Sequence, residues 1–318
     1  MAVLFGVLAG CSDEAMPKAD KRKKVRIAVV GTAKSDPDWP ILVACAPTAL
    51  RFQDQVEVEV RAGETPSPTE QRAILAALVA EPFDAVCVMP IDADAIRPEI
   101  AQLARSGKPV VTFGVDVPLS ERVSFHGPHE EEIGHAAAAA VLDLLPSTRV
   151  SVGLIGPGAG SARYGARYRA LKERLAGQGR ADIIREADCT AEPWAAAELV
   201  RNEAKRYPRM GCWVFLDDWP LKADKDWSPL VPDISSVVVC SGSPRWFARL
   251  KRREIHALIT YNLQRAVEGA VSSAINAARQ STLGIEGRDL PVEIVTPGTL
   301  PAYEKKREAW LRGERAGD

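Results

Sequence analysis

Short apolar runs alternate with amphipathic stretches along most of the chain. In residues 82–118, apolar runs at 85–89 and 110–113 flank a stretch whose apolar positions recur at helical spacing. Pro98 fits that stretch only in the opening turn of a helix, and Gly107 supplies its end. Two continuous apolar strands joined by one amphipathic helix predict a right-handed β-α-β crossover, the unit of a parallel sheet covered on both faces.

The same alternation continues on both sides of this stretch. Further strands are predicted at 25–30, 56–60, 123–126, 150–155, 183–187, 213–216, 237–240, 255–259 and 292–295. Further helices are predicted at 40–52, 69–79, 131–144, 163–176, 193–205, 263–279 and 303–312, the last with Trp310 as its apolar anchor. The second half therefore repeats the first, which indicates two doubly wound, Rossmann-like α/β lobes with parallel sheets.

Composition and charge narrow the class of protein. A chain of 318 residues has room for two ordinary domains, and 46% apolar with 26% charged residues is a globular composition. The formal net charge of -1 argues against a nucleic-acid partner, which normally requires a basic excess. The sequence contains no apolar run of about 18 residues or more, so no membrane-spanning helix is predicted.

The first residues differ from the rest of the chain. An apolar run at 2–9 leads into Leu-Ala-Gly-Cys, ending at Cys11, and is similar to the lipobox of bacterial lipoprotein signal peptides. Residues 12–24 are polar and highly charged, which suits a tether because they have nothing to bury. We therefore expect residues 1–23 to comprise a signal peptide, a lipidated Cys11 and a tether. The alternative is an ordinary cytosolic terminus, because the usual basic opening stretch is missing.

Motifs for catalysis, metals and cofactors are incomplete. Residues 156–161 combine glycines with a helix start, but Ser161 stands where a dinucleotide-binding motif needs glycine, and no Walker lysine follows. His129 and His135 are six residues apart and face different sides of a helix, which does not suit a metal site. No serine, histidine and acid lie on matching loops. We therefore expect no enzymatic activity, no metal and no cofactor.

Polar and aromatic residues follow several predicted strands. Ligands of open parallel sheets lie beyond the carboxyl ends of the strands, where this chain places Asp36, Trp39, Asp92, Asp116, Asp217 and Trp219. Carboxylates bind vicinal hydroxyls, and an indole face packs against the apolar side of a sugar ring, so this set suits a polyol. The alternative for Asp92 and for Asp217 is that each caps the element that follows it.

Three stretches also carry a family resemblance. The runs DAVCVMPIDADAI, GKPVVTFGVDVP and FHGPHEEEIGHAAA resemble the ribose-binding branch of the periplasmic sugar-binding proteins of ABC transporters, and the similarity extends over most of residues 24–300. The resemblance implies the type I periplasmic binding protein fold, in which a three-segment hinge joins two lobes. The implied lobes are residues 24–127 plus 260–290 and residues 128–259 plus 291–318.

The resemblance adds site residues and also shows departures from the family pattern. Arg167 matches a ligand-binding arginine, whereas Ser241 and Tyr261 stand where the family has an aspartate and a glutamine. Gly114 and Val115 replace two further residues that bind the sugar in the family. A site built for hydroxyls loses affinity when its partners are missing, so the departures argue against ribose itself and for another sugar or a less polar ligand.

These features lead to one functional hypothesis and several alternatives. We expect a monomeric, lipid-anchored, extracytoplasmic solute-binding protein that closes its lobes on a sugar or sugar-like ligand and passes it to an ABC transporter permease. Nucleic acid is not an expected partner. The alternatives are a ligand-binding protein that serves a membrane sensor, and an interaction protein of the same fold that has lost binding. A transcription regulator would need about 50 to 60 residues of helix-turn-helix before the first strand.

Overall fold

Two sheets and the helices around them make up the described part of the chain. The computed structural model describes residues 24–50, 55–144, 149–161, 163–223, 230–281 and 284–315. The expected signal peptide, lipidation site and tether at residues 1–23, including Cys11, lie outside these ranges. Among the helices within them, none combines the length and apolar character needed to cross a membrane.

The first lobe is built on a parallel sheet. Its strands are β1 (Val25–Val30), β2 (Val56–Arg61), β3 (Ala85–Val88), β4 (Val110–Phe113), β5 (Ser124–Gly127) and β11 (Arg288–Asp289). Their order across the sheet is β11-β5-β4-β3-β1-β2. The helices of this lobe are α1 (Trp39–Cys45), α2 (Pro68–Leu78), α3 (Arg97–Arg105) and α8 (Leu263–Ala278). β3 and β4 are buried along their whole length, as expected for central strands covered on both faces.

The second lobe repeats this architecture. Its strands are β6 (Val150–Gly156), β7 (Ala181–Asp188), β8 (Cys212–Phe215), β9 (Ser236–Val239), β10 (Ala257–Tyr261) and β12 (Val292–Val295). They lie in the order β12-β10-β9-β8-β6-β7 and are parallel except for β12, which runs antiparallel to β10. The helices that follow or precede them are α4 (Glu130–Leu144), α5 (Tyr164–Gln178), α6 (Pro193–Arg206), α7 (Phe247–Lys251) and α9 (Leu300–Leu311).

Within the described residues, the chain passes between the lobes three times. β5 of the first sheet leads into α4 of the second lobe, β10 of the second sheet leads into α8 on the first, and β11 leads into β12. The third crossing starts beside the first, because Arg288 of β11 pairs with His126 of β5. The expected fold, two doubly wound lobes on a three-segment hinge, is confirmed.

Strand positions follow the sequence prediction closely, whereas some helix ends do not. β1, β4 and β12 coincide with their predicted ranges. The helix predicted at 40–52 is wrong at 46–50, since α1 ends at Cys45 and a 3-10 turn, Ala46–Leu50, follows; residues 51 and 52 lie outside the described ranges. Pro47 accounts for this change because it has no N–H to continue the α-helical hydrogen bonds. The last helix starts at Leu300 rather than at 303, with Pro301 accommodated in its first turn.

Helix α9 contacts both lobes after the last crossing. Trp310 is fully buried and packs edge-on against Tyr303, with 5.9 Å between ring centroids. The Cys45 thiol of α1 donates to the carbonyl of Trp310 over 3.3 Å, and the Tyr303 hydroxyl lies 3.1 Å from that of Thr260 in β10. The anchoring role predicted for Trp310 is confirmed. The lobe boundary that assigns residues 291–318 to the second lobe stays a prediction.

Candidate functional site

A cavity of about 110 Å³ lies between the lobes. It is lined by the loop after β4, by the start of α4, by the region where α5 begins, and by the ends of β8, β9 and β10, where the carboxyl ends of parallel strands converge. Its lining residues include Gly114, Val115, Glu130, Arg163, Arg167, Asp217, Ser241 and Tyr261. Four of the predicted site residues, Arg167, Asp217, Ser241 and Tyr261, are therefore brought together here.

Arg167 forms the buried part of one cavity wall. Its side chain is only 4% exposed, and its Nε and Nη2 atoms lie 2.7 and 2.6 Å from Oε2 of Glu130. Nη1 donates to the carbonyl of Leu216 at the end of β8, and the guanidinium lies 4.9 Å from the ring centroid of Tyr164. Most of its donors are thus already used within the second lobe. Glu130, which orients Arg167, was not predicted from the sequence.

Arg163 is a second arginine on the same wall that the sequence analysis missed. It precedes Arg167 by one helical turn, so both guanidinium groups lie over Tyr164, at 4.7 and 4.9 Å from the ring centroid. The Arg163 side chain is 29% exposed, and its Nε lies 3.4 Å from Oε1 of Glu130. The spacing of four between two arginines was the available sequence signal.

Two adjacent carboxylates follow β8 and differ in their proton affinity. The Tyr164 hydroxyl donates to Oδ2 of Asp217 over 2.7 Å. Burial, with the neighbouring charge of Asp218, raises the pKa of Asp217 to about 6, although Lys222 and Arg163 oppose the shift.

Asp218 is the more strongly held of the two. Its partners are Lys222 at 2.6 Å, the indole nitrogen of Trp246 at 2.9 Å and the hydroxyl of Ser241 at 3.0 Å. Burial acts to raise the pKa of Asp218, but the charge of Lys222 and the hydrogen bonds with Asp217, Lys222 and Trp246 lower it overall. Ser241, one of the predicted site residues, therefore lines the cavity while it donates to Asp218.

Gly114 and Tyr261 lie against each other in the cavity wall. Gly114 has a φ of +70°, a conformation that favours glycine. A Cβ atom at this position would lie 2.6 Å from the Tyr261 hydroxyl oxygen, so the phenol occupies the space that a side chain would need. The two departures from the family pattern are therefore one packing change.

The predicted site residues after β1, Asp36 and Trp39, are not part of the cavity wall. Asp36 accepts hydrogen bonds from the Thr32 hydroxyl at 2.7 Å and from the backbone N–H of Asp38 at 2.9 Å. Trp39, half-buried, is the first residue of α1. Arg245 of the second lobe donates to the backbone carbonyl of Ser35 over 3.3 Å, so this loop makes a contact between the lobes.

The other predicted site residues lie outside the cavity wall. Asp92 is exposed, and its Oδ1 accepts from two backbone N–H groups of the turn before α3, both at 3.0 Å. Asp116 is paired with Arg122 in its own lobe. Trp219 packs edge-on against Tyr164 at 5.5 Å, behind the wall. Their roles in ligand binding stay predictions.

Comparison with known proteins identifies the architecture. The family profile described as a periplasmic binding protein domain matches residues 27–282. No curated protein matches the sequence. An ABC transporter solute-binding protein from Burkholderia graminis, in complex with D-arabinose, has 16% identity and a TM-score of 0.73, over 89% of this chain and 99% of that one.

Two further solved structures are similar over comparable lengths. A solute-binding protein from Bacillus halodurans with bound myo-inositol has 16% identity and a TM-score of 0.71, over 89% of this chain and 98% of that one. A periplasmic ribose ABC transporter protein from Conexibacter woesei has 16% identity and a TM-score of 0.71, over 92% and 98%. At this level of identity the structures establish a shared fold.

Proposed function

This chain belongs to the periplasmic binding protein domain family, and from that premise we propose that it captures a small sugar-like molecule between its lobes for an ABC importer. The observation that carries the proposal is the cavity of about 110 Å³ at the converging strand ends of two hinged lobes. Solved structures of the same fold contain D-arabinose, myo-inositol and D-allose, which share the vicinal hydroxyls expected of the ligand.

Closure of the lobes is the proposed mechanism. Gly114 and Val115 from the first lobe and Arg163 and Ser241 from the second line one cavity, so a molecule held there contacts both lobes. Binding then stabilises the closed form relative to the open form, and a membrane partner that recognises the closed form receives the ligand. The proposal involves no change in the ligand's covalent bonds.

A second candidate is an interaction protein of the same fold that has lost ligand binding. The cavity is smaller than the roughly 300 to 1,000 Å³ typical of small-molecule sites, and Tyr261 fills space above Gly114. A ligand-binding protein that serves a membrane sensor would share the proposed site and differ only in its partner.

Thermal unfolding with a panel of pentoses, hexoses, polyols and their acids separates these candidates. A ligand present at about 100 times its Kd adds about 2.7 kcal/mol to the unfolding free energy and raises the melting midpoint. Small-angle scattering of the same samples is expected to show a smaller radius of gyration with the ligand than without it. If no member of the panel moves the midpoint, carbohydrate capture is wrong and the second candidate stands.

The proposal also includes an anchor and a division into lobes. We propose that Cys11 carries the lipid and that residues 12–23 tether the folded part to the membrane surface. A Cys11→Ser variant is then expected to leave the membrane fraction, and mass spectrometry of the mature amino-terminal peptide checks the acylation directly. Lobes of residues 24–127 plus 260–290 and 128–259 plus 291–318 remain the proposed units of closure.

A further inference from the structure

Carboxylates on the second lobe's side of the cleft already accept hydrogen bonds from protein donors. Oε2 of Glu130 accepts from Nε and lies close to Nη2 of Arg167, and Oδ2 of Asp217 accepts from the Tyr164 hydroxyl. Asp218, next along the chain, is paired with Lys222 and two further donors. Among the described residues, Oε1 of Glu130 is the one oxygen of these three carboxylates without a donor closer than 3.4 Å, so the wall offers few free acceptors to the protons of ligand hydroxyl groups.

In contrast to these acceptors, Arg163 of the same wall has hydrogen-bond donors that are not engaged by the described part of the protein. Arg163 lines the cavity with 29% of its side chain exposed, and the hydrogen bond that it makes within the described part of the chain is the long 3.4 Å contact from Nε to Glu130. Within the described residues, no hydrogen bond joins its two terminal nitrogens to the protein. The ring of Tyr164 lies 4.7 Å from the guanidinium carbon and supports the group in place.

A planar fork of free donors matches a particular ligand chemistry. Arginine binds carboxylate and phosphate oxygens through two parallel N–H bonds, which are shorter and stronger than bonds to neutral hydroxyls. A neutral sugar has to place hydroxyl protons as well as oxygens, and here most nearby acceptors are already engaged. The carboxylate of a sugar acid has acceptors only, so it removes the need of an acceptor for the one hydroxyl that it replaces, while the remaining hydroxyls share the acceptors that are left.

Charge favours a carboxylate over a phosphate. Asp217 and Glu130 lie on the same wall as Arg163 and repel an anion. A phosphate monoester carries about -1.5 to -2 charges at neutral pH, whereas a carboxylate carries one, so the repulsion is smaller for the carboxylate. The small volume of the cavity, about 110 Å³, also favours the carboxylate, which is the smaller of the two groups.

We propose that the ligand of this cleft is a sugar acid whose carboxylate binds the free guanidinium of Arg163. The inference rests on the proposed function, which supplies the sugar-like body of the ligand. It adds the anionic group and names Arg163, rather than the already engaged Arg167, as the residue that selects for it.

Calorimetric titration with matched ligands tests the inference. The probes are D-galactose with D-galacturonate and D-galactose 1-phosphate, and L-arabinose with L-arabinonate. One of the acids is expected to bind at least about 100-fold more tightly than its neutral parent, the difference expected for a charge-assisted bidentate contact. Arg163→Met is expected to remove that preference, and Arg163→Lys to retain part of it. Arg174→Met, on the exposed side of the same helix, is the matched control and is expected to bind the acid as the unchanged protein does.

The possible outcomes distinguish the carboxylate proposal from the proposed sugar capture on which it rests. If a neutral sugar binds as tightly as its acid, or if Arg163→Met keeps the preference while its melting midpoint without ligand is unchanged, the carboxylate proposal is wrong and sugar capture remains. Tighter binding of the phosphate ester than of the acid also overturns the proposal. If no probe binds, both the inference and its carbohydrate premise are wrong.

Discussion

Replacing Arg307 by methionine removes a charged contact between α9 and the loop that follows β1. Nη2 of Arg307 lies 2.6 Å from Oδ1 of Asp38, and the guanidinium carbon lies 5.8 Å from the ring centroid of Phe247 in the second lobe. The Arg307 side chain is only 8% exposed, while that of Asp38 is 26% exposed. Methionine keeps much of the apolar stem and deletes the charge, so the substitution removes the ion pair together with the contact of the guanidinium with the Phe247 ring.

The loss of stability depends on the charge of Asp38, which has no partner in the described part of the chain after the substitution. Removing one partner of a buried ion pair costs about 3 to 5 kcal/mol, because the other charge is left without compensation. Burial already raises the pKa of Asp38, and the group keeps some contact with water, so protonation and hydration relieve part of that penalty. We therefore expect a loss of about 2 to 3 kcal/mol in unfolding free energy. For a chain of this size, the melting midpoint falls by about 3 to 5 °C.

Urea unfolding followed by tryptophan fluorescence measures the loss. Arg312→Met is the matched control, since Arg312 pairs with Glu314 at 2.9 Å and both side chains are 57% exposed, and it is expected to cost less than about 1 kcal/mol. Without the guanidinium, which opposes the upward shift, the pKa of Asp38 rises further, so the deficit of Arg307→Met is expected to narrow as the pH falls and Asp38 takes up a proton. A loss no larger than that of the control, or a deficit that widens toward acid, would refute the reasoning.

Two further predictions concern the cavity wall. Gly114→Ala and Gly107→Ala both place alanine at a positive φ, +70° and +80°; Gly107→Ala, in open space, is expected to cost about 1 kcal/mol, and Gly114→Ala is expected to cost more because its Cβ meets the Tyr261 hydroxyl. Only Gly114→Ala brings a Cβ against Tyr261, so only it is expected to weaken ligand-induced stabilisation in thermal unfolding; equal effects on binding would contradict the assigned cavity. Asp217 has a pKa of about 6 in the folded protein, above its unfolded value, so its ionised form destabilises the fold above that pH. Asp217→Asn is expected to raise the unfolding free energy at about pH 7.5, with the gain shrinking as the pH falls below about 6 and lost only near the unfolded pKa, at about pH 4; a destabilised variant at the higher pH would be inconsistent with this pKa.

Much of the fold was predictable because it rests on local patterns. The apolar, β-branched runs of β1 and β12 specify buried strands without reference to distant residues. Proline and glycine positions likewise marked where α3 begins and ends, with Gly107 at a φ of +80°. The same local reasoning missed the early end of α1, where Pro47 outweighed a periodic apolar pattern.

The candidate site was only partly predictable. Arg167 came from a family resemblance and lies in the cavity wall, yet the sequence contained no sign that Glu130 would engage it. Asp116 was an equally reasonable candidate, but Arg122 pairs with its carboxylate. Whether a carboxylate is free to bind a ligand depends on its neighbours in space, and these are not visible in a strand-end pattern.

The sequence by itself determined two α/β lobes with strand ends directed at one cleft. The pattern of apolar and polar residues specifies each strand and helix locally, and the order of these elements along the chain then specifies the lobes. Only the tertiary structure decided which polar groups in that cleft are satisfied and which are free. Asp38 and Arg307 form an ion pair although they are 269 positions apart in the sequence. Arg163 stays available because Glu130 binds Arg167 at 2.7 Å and contacts Arg163 only at 3.4 Å. Such pairings depend on how separate elements pack, so they follow from the folded arrangement and not from local residue preferences.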